Sequence, residues 1–139
     1  VIGVDNTPAM LDAAKQRTKD RNNIDLRQGD LESLPMDDGE CDAAMMVLVL
    51  TYLTEPESAL REMARVIRPG GKAVLVDVMR HDREDFRREM GQQNMGYDPK
   101  EVGLLLEEAG LESPVCTPIP PHPEAKGPAL LLCTAHKPE

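Results

Sequence analysis

Val1-Ile2-Gly3-Val4 is a run of small and β-branched apolar residues that ends on a carboxylate, Asp5, with a helix start, Thr7-Pro8, just beyond it. An apolar run without alternation suits a strand buried on both faces, as in a parallel sheet. Thr7 is placed to cap, and Pro8 to open, a helix that returns over that sheet. A carboxylate at the carboxyl end of such a strand lies where open α/β sheets bind ligands, and there it can accept both hydroxyls of a ribose. In nucleoside-binding domains of this kind a glycine-rich strand-to-helix turn lies about 20 residues earlier. Val1 has no such turn before it and the chain does not begin with Met. The expectation is therefore a partial domain whose first strand, glycine loop and first helix are missing.

The rest of the chain alternates strand and helix patterns. A helix is expected over Pro8–Lys19, with Leu11, Ala14 and Thr18 facing the sheet, and a strand over Ile24–Gln28. Gly29-Asp30 puts a second carboxylate at a strand's carboxyl end. After a turn at Leu31–Pro35 and an acidic loop, the long apolar run Ala43–Leu50 reads as a central strand. Thr54-Glu55-Pro56-Glu57 has the form of a capping box, and Leu60, Met63, Ala64 and Ile67 recur at helical spacing. Arg68-Pro69-Gly70-Gly71 then turns into a strand over Lys72–Val78. A charged helix is expected after His81, and a second capping box at Asp98–Glu101 leads a helix that ends at Gly110. A Pro-interrupted edge strand near Pro114–Ile119 and a last strand over Ala129–Ala135 complete the pattern. The fold class is α/β: a mostly parallel sheet flanked by helices, with one antiparallel strand near the C-terminus.

Composition narrows the function. A net charge of −9 argues against direct binding to a nucleic-acid backbone, which needs clustered Lys and Arg. No apolar run is long enough to span a membrane. Three Cys without metal-type spacing, on separate elements, and three scattered His imply no metal site. Reduced thiols in a cytoplasmic setting are expected.

The order of motifs resembles class I S-adenosylmethionine-dependent methyltransferases. Carrying the resemblance are Val4-Asp5 at a strand end, Pro8–Leu11 opening a helix, Gly29–Pro35, Cys41-Asp42 before an apolar strand, and Arg68–Lys72. It covers residues 1 to about 80 and is nearest to the quinone-biosynthesis-like subgroup acting on small molecules. His81–Glu84, Met90-Gly91 and Gly96-Tyr97 resemble methyltransferases fused behind winged-helix repressors of the arsenic-resistance type. The resemblance implies S-adenosylmethionine as cofactor, a small-molecule methyl acceptor, and an upstream winged-helix domain in the full-length chain. It implies that Asp5 holds the ribose, Asp30 the adenine amino group, Leu31 the base, and Val47 the cofactor at the end of its strand. It also implies a Rossmann-like strand order three, two, one, four, five, seven, six. Val1–Asp5 and Ala43–Leu50 would then either pair directly or leave a gap.

Where many relatives carry His or Arg-Asn after the fourth strand, this chain has Thr51-Tyr52. Methyl transfer rests on positioning and desolvation more than on an acid–base pair. Tyr52 and His81 are the polar candidates to orient or deprotonate an acceptor. A nicotinamide-dependent oxidoreductase would also use Asp5 on a ribose, but no Tyr here has a Lys four residues on. A non-catalytic module on the same fold is the other alternative.

Overall fold

The computed structural model describes residues 1–139. Its elements run β1 (Ile2–Asp5), α1 (Pro8–Arg17), β2 (Asp25–Gln28), β3 (Cys41–Val47), a 3-10 turn (Leu50–Tyr52), α2 (Pro56–Val66), β4 (Ile67–Val78), α3 (Glu84–Met90), α4 (Pro99–Glu108), β5 (Glu112–Ile119) and β6 (Leu130–His136). The strands form two sheets. β1 and β2 pair in parallel, with Asp5 opposite Gln28. β3, β4, β6 and β5 form a second sheet in that order, β3 parallel to β4 and β6 antiparallel to both its neighbours. This is the expected strand order with β1 and β3 unpaired, so the gap between them stays open.

α2 follows from its stripe, with Leu60, Met63 and Ala64 buried; Ile67, expected on the same helix, is buried instead as the first residue of β4, which runs on through Arg68–Gly71 where a turn is expected. These four buried residues join Leu50, Leu75, Val102, Leu106 and Leu131 in a 16-residue core between the four-stranded sheet and helices α2 and α4. On α1 the expected face is present but shallow, with Leu11 buried and Ala14 and Thr18 half-buried. The Asp98 capping box is present, and Glu101 accepts the Asp98 N–H at 3.3 Å.

Further expectations change. β1 is half-buried throughout, because a two-stranded sheet cannot cover both its faces. β3 is an edge strand and stops at Val47; Leu48 takes a left-handed conformation (φ 55°) and turns the chain into the 3-10 turn. α2 is capped by Glu55, with no side-chain cap bond from Thr54. At α1, Thr7 is the capping residue, but its hydroxyl bonds Asn6 and caps no helical N–H.

The two sheets are tied through residues 34–40. Arg27 of β2 donates to Pro35 C=O (2.8 Å) and Glu40 (2.9 Å). Arg65 of α2 donates to Met36 C=O (2.8 Å) and Leu34 C=O (3.2 Å), and Glu62 accepts the Leu34 N–H (2.7 Å). Leu31 packs on the main core. The tie is otherwise polar.

Candidate functional site

All four parallel strands point their carboxyl ends the same way within their pairs, and the candidate residues fall into two groups there. The first sits on β1 and β2. Asp5 Oδ1 accepts the Thr7 N–H at 2.8 Å, and Asp30 Oδ1 accepts the Glu32 N–H at 2.9 Å. Each is a side-chain-to-backbone turn two residues long, which fixes the carboxylate and leaves Oδ2 without a partner in the chain. The Gly29 N–H donates to Asp5 C=O (3.1 Å), holding the two strand ends abreast. Gly29 is required there: a Cβ would lie 2.5 Å from Pro35 Cδ, so the ring closes the Gly29–Pro35 turn on hydrogen alone. Leu31 is half-buried beside Asp30. The structure thus brings Asp5, Asp30 and Leu31 together as two fixed acceptors beside an apolar side chain.

The second group sits on β3 and β4. Val47 is 49% exposed at the end of β3. Beyond it Leu50 is held by both of its backbone groups. Its N–H donates to Asp77 Oδ2 (2.8 Å), and its C=O accepts the Tyr97 hydroxyl (3.2 Å). Asn94 Nδ2 donates to the same phenol oxygen (3.0 Å), and Asp77 Oδ1 takes the Val78 N–H (2.8 Å). Burial, more than the neighbouring Asp77 charge, pushes the Tyr97 phenol above its ordinary range, against the Asn94 bond. It stays a donor. Thr51 and Gln92 are buried, each with a side-chain oxygen lacking a partner, while Tyr52 is exposed on the turn.

His81 follows β4. Its Nδ1 accepts the Arg83 N–H at 3.0 Å, which places the proton of the neutral ring on Nε2. Burial first, and then the Arg83 charge, lowers its pKa below 6.5. The ring packs edge-on against Phe86. So held, His81 has no free lone pair to act as a base, and its Nε2 is buried without a partner. Val47, Tyr52 and His81 therefore share one sheet's end, while Asp5, Asp30 and Leu31 share the other's, with no hydrogen bond joining the two groups.

Sequence reasoning missed Asp77, Asn94 and Gln92, and used Tyr97 only as a motif letter. A carboxylate inside the apolar Val76-Asp77-Val78 was the available signal for the first. A buried acid there needs backbone donors. Nothing local marks the others: Asn94 joins Leu50 only through the Tyr97 hydroxyl in the folded chain.

Comparison with known proteins adds the following. A family model described as a methyltransferase domain matches residues 1–75. A demethylmenaquinone methyltransferase of Staphylococcus carnosus is 42% identical over 77 residues, which are 55% of this chain and 32% of that protein. A ubiquinone/menaquinone biosynthesis C-methyltransferase of Shewanella sp. is 27% identical over 127 residues, 89% of this chain and 51% of that one. The chain spans about half or less of the length of these curated relatives. Among solved structures, an S-adenosylmethionine-dependent methyltransferase of Thermotoga maritima superposes with a TM-score of 0.78 over 98% of this chain and 72% of its own, at 24% identity.

Proposed function

The chain belongs to the methyltransferase-domain family, and from that premise we propose that its protein transfers a methyl group from S-adenosylmethionine to a small-molecule acceptor. The observation that carries the reading is the pair of strand-end carboxylates, each pinned through Oδ1 with Oδ2 free. Fixed, ionised acceptors suit the neutral hydroxyl and amino donors of a nucleoside. These acceptors and their apolar neighbours fit the cofactor: Asp5 on the ribose, Asp30 on the adenine amino group, Leu31 against the base, and Val47 on the side of the second sheet. When bound, S-adenosylmethionine supplies an electrophilic methyl on a sulfonium.

The residues of the second group then orient the acceptor. Asp77 and Tyr97 hold the Leu50 peptide and so fix the turn that presents Tyr52. With no base poised in this arrangement, the acceptor's own nucleophilicity and its alignment carry the reaction. The acidic chain agrees with a small acceptor over nucleic acid, and a winged-helix domain elsewhere in the protein would carry any DNA binding. No helix is long and apolar enough to cross a membrane, and three free thiols suit a cytoplasmic setting.

We read the chain as part of a class I domain, with the space between β1 and β3 taken by one further parallel strand. Calorimetry in the protein so completed tests the site. Asp5→Ala should weaken cofactor binding by about 1.5–3 kcal/mol, the scale of a hydrogen bond to a charged group. Unchanged affinity would remove Asp5 from the site. A product-detecting assay across quinols, thiols and arsenite tests the acceptor class; transfer confined to DNA or RNA would overturn it, and cofactor binding without turnover would favour a non-catalytic module.

A further inference from the structure

Cys116 on β5 and Cys133 on β6 sit on separate elements, yet they are direct partners in the antiparallel ladder. Both side chains therefore stand on one face of the sheet. Cys133 is fully buried in the core, and Cys116 is half-buried against it. The next same-face position, Pro118, is paired with Leu131 on the same edge strand. Proline has no N–H to give, and is tolerated on an edge strand where its nitrogen faces away from the neighbour. Backbone groups alternate in direction along a strand, so Cys116 shares the orientation of Pro118. The cysteine pair is then of the non-hydrogen-bonded kind, with Cα atoms about 4.5 Å apart and side chains at their closest. Disulfides span Cα separations of about 4.4–6.8 Å. Both residues are free thiols here.

Cys116 also lines a solvent-open cleft of about 330 Å³ between α4 and β5, beside Lys100, Leu104 and Pro114. Cys133 has no such access. The two thiols are thus unequal, one reachable and one behind it.

We propose that Cys116 and Cys133 form a reversible cross-strand disulfide by exchange with a small-molecule disulfide entering from this cleft. The Cys116 thiolate attacks one sulfur of the small disulfide and breaks its S–S bond. The first small thiolate leaves and takes up the proton that Cys116 lost. Cys133 then attacks the Cys116 sulfur, forming the protein disulfide, and its proton goes to the second small thiol. Two protein thiols are oxidised and one small disulfide is reduced to two thiols. Burial raises both protein thiols, so the exchange belongs to the slow range of minutes to hours. Cys41, on β3, donates its S–H to Val66 C=O at 3.1 Å and has no cysteine partner. It serves as the internal control.

The test incubates the folded protein with excess oxidised glutathione, then denatures and alkylates it. One alkylated thiol should remain instead of three, and reductant should restore all three. Trypsin, cutting after Lys100 and Lys126, should yield residues 101–126 joined to 127–139, two hydrogens lighter than their sum. Cys41→Ser should leave the product unchanged, and Cys133→Ser should stop it at a glutathione adduct on Cys116. Three alkylated thiols after prolonged oxidation, a persistent adduct on Cys116 in the unaltered protein, a linkage through Cys41, or a link that forms only in urea would each overturn the proposal.

Discussion

The two sheets carry the proposed ligand contacts on opposite terms. In β1 and β2 no residue is buried, and Leu11 is the one buried residue of the first thirty. The four-stranded sheet shares a 16-residue core with α2 and α4. Burial of apolar area is the main stabilising term in folding. The carboxylates proposed to hold the cofactor therefore stand on the weakly held half, and the turn proposed to meet the acceptor stands on the strongly held one. Local stability of this kind varies widely within one chain, and binding segments come from its low end.

The sharpest way to break this contrast is a pair of leucines. Leu60→Ala removes a fully buried side chain from the main core and should cost about 3–4 kcal/mol, within the range for such truncations. Leu11→Ala, which lies outside that cluster, should cost about 1 kcal/mol or less in global unfolding by urea, because its unit opens beforehand. Similar losses at both positions would mean that the two sheets unfold as one body.

Next in size is Asp77→Ala, which strands the buried N–H groups of Leu50 and Val78. A loss of about 2–3 kcal/mol follows from leaving such groups unsatisfied. Asp77→Asn keeps one acceptor oxygen and should recover part of it. If the alanine variant were as stable as the parent, the clamp on Leu50 would have no energetic weight.

How much of this could be read from residues alone divides along the same line. The periodic stripe of α2 and the strand-end carboxylates are local patterns, while the strand order is implied by the family resemblance; the structure carries all three. The burial of β1 and the central place given to Ala43–Leu50 failed together. Both expectations assumed a neighbour on each side, and apolar character alone cannot say whether a strand has one. The Leu50 clamp joins residues 50, 77, 94 and 97, and the Cys116–Cys133 pair joins two strands through their register. Such contacts exist only in the folded chain and leave no spacing to find.

A smaller effect sharpens the tie between the sheets. Arg27→Met removes the bonds from β2 to Pro35 and Glu40 while keeping the apolar stem. Amide exchange should quicken across β1 and β2 and stay unchanged in β4 and β6. Equal acceleration in both sheets would place Arg27 in the global core.

The smallest expected effect is a pH dependence whose upper window is confined to the strongly held half. The folded pKa of His81 lies below 6.5, with burial the largest cause, Arg83 next, and Asp82 and Glu84 opposing. A group lowered in the folded state is protonated first in the unfolded one. Its contribution is therefore complete above pH 6.5 and declines as pH falls from there through the folded pKa. Glu40, Glu62, Glu84 and Glu101 are also lowered, each chiefly by an arginine hydrogen bond, but from 4.5. Their contribution is lost only as pH drops below that value. Urea midpoints should thus fall in two separate windows, and His81→Gln should flatten the upper one alone. Amides of β1 and β2, which His81 does not touch, should show no inflection in the upper window. An inflection there would tie the two sheets through His81, and the contrast between them would have to be redrawn.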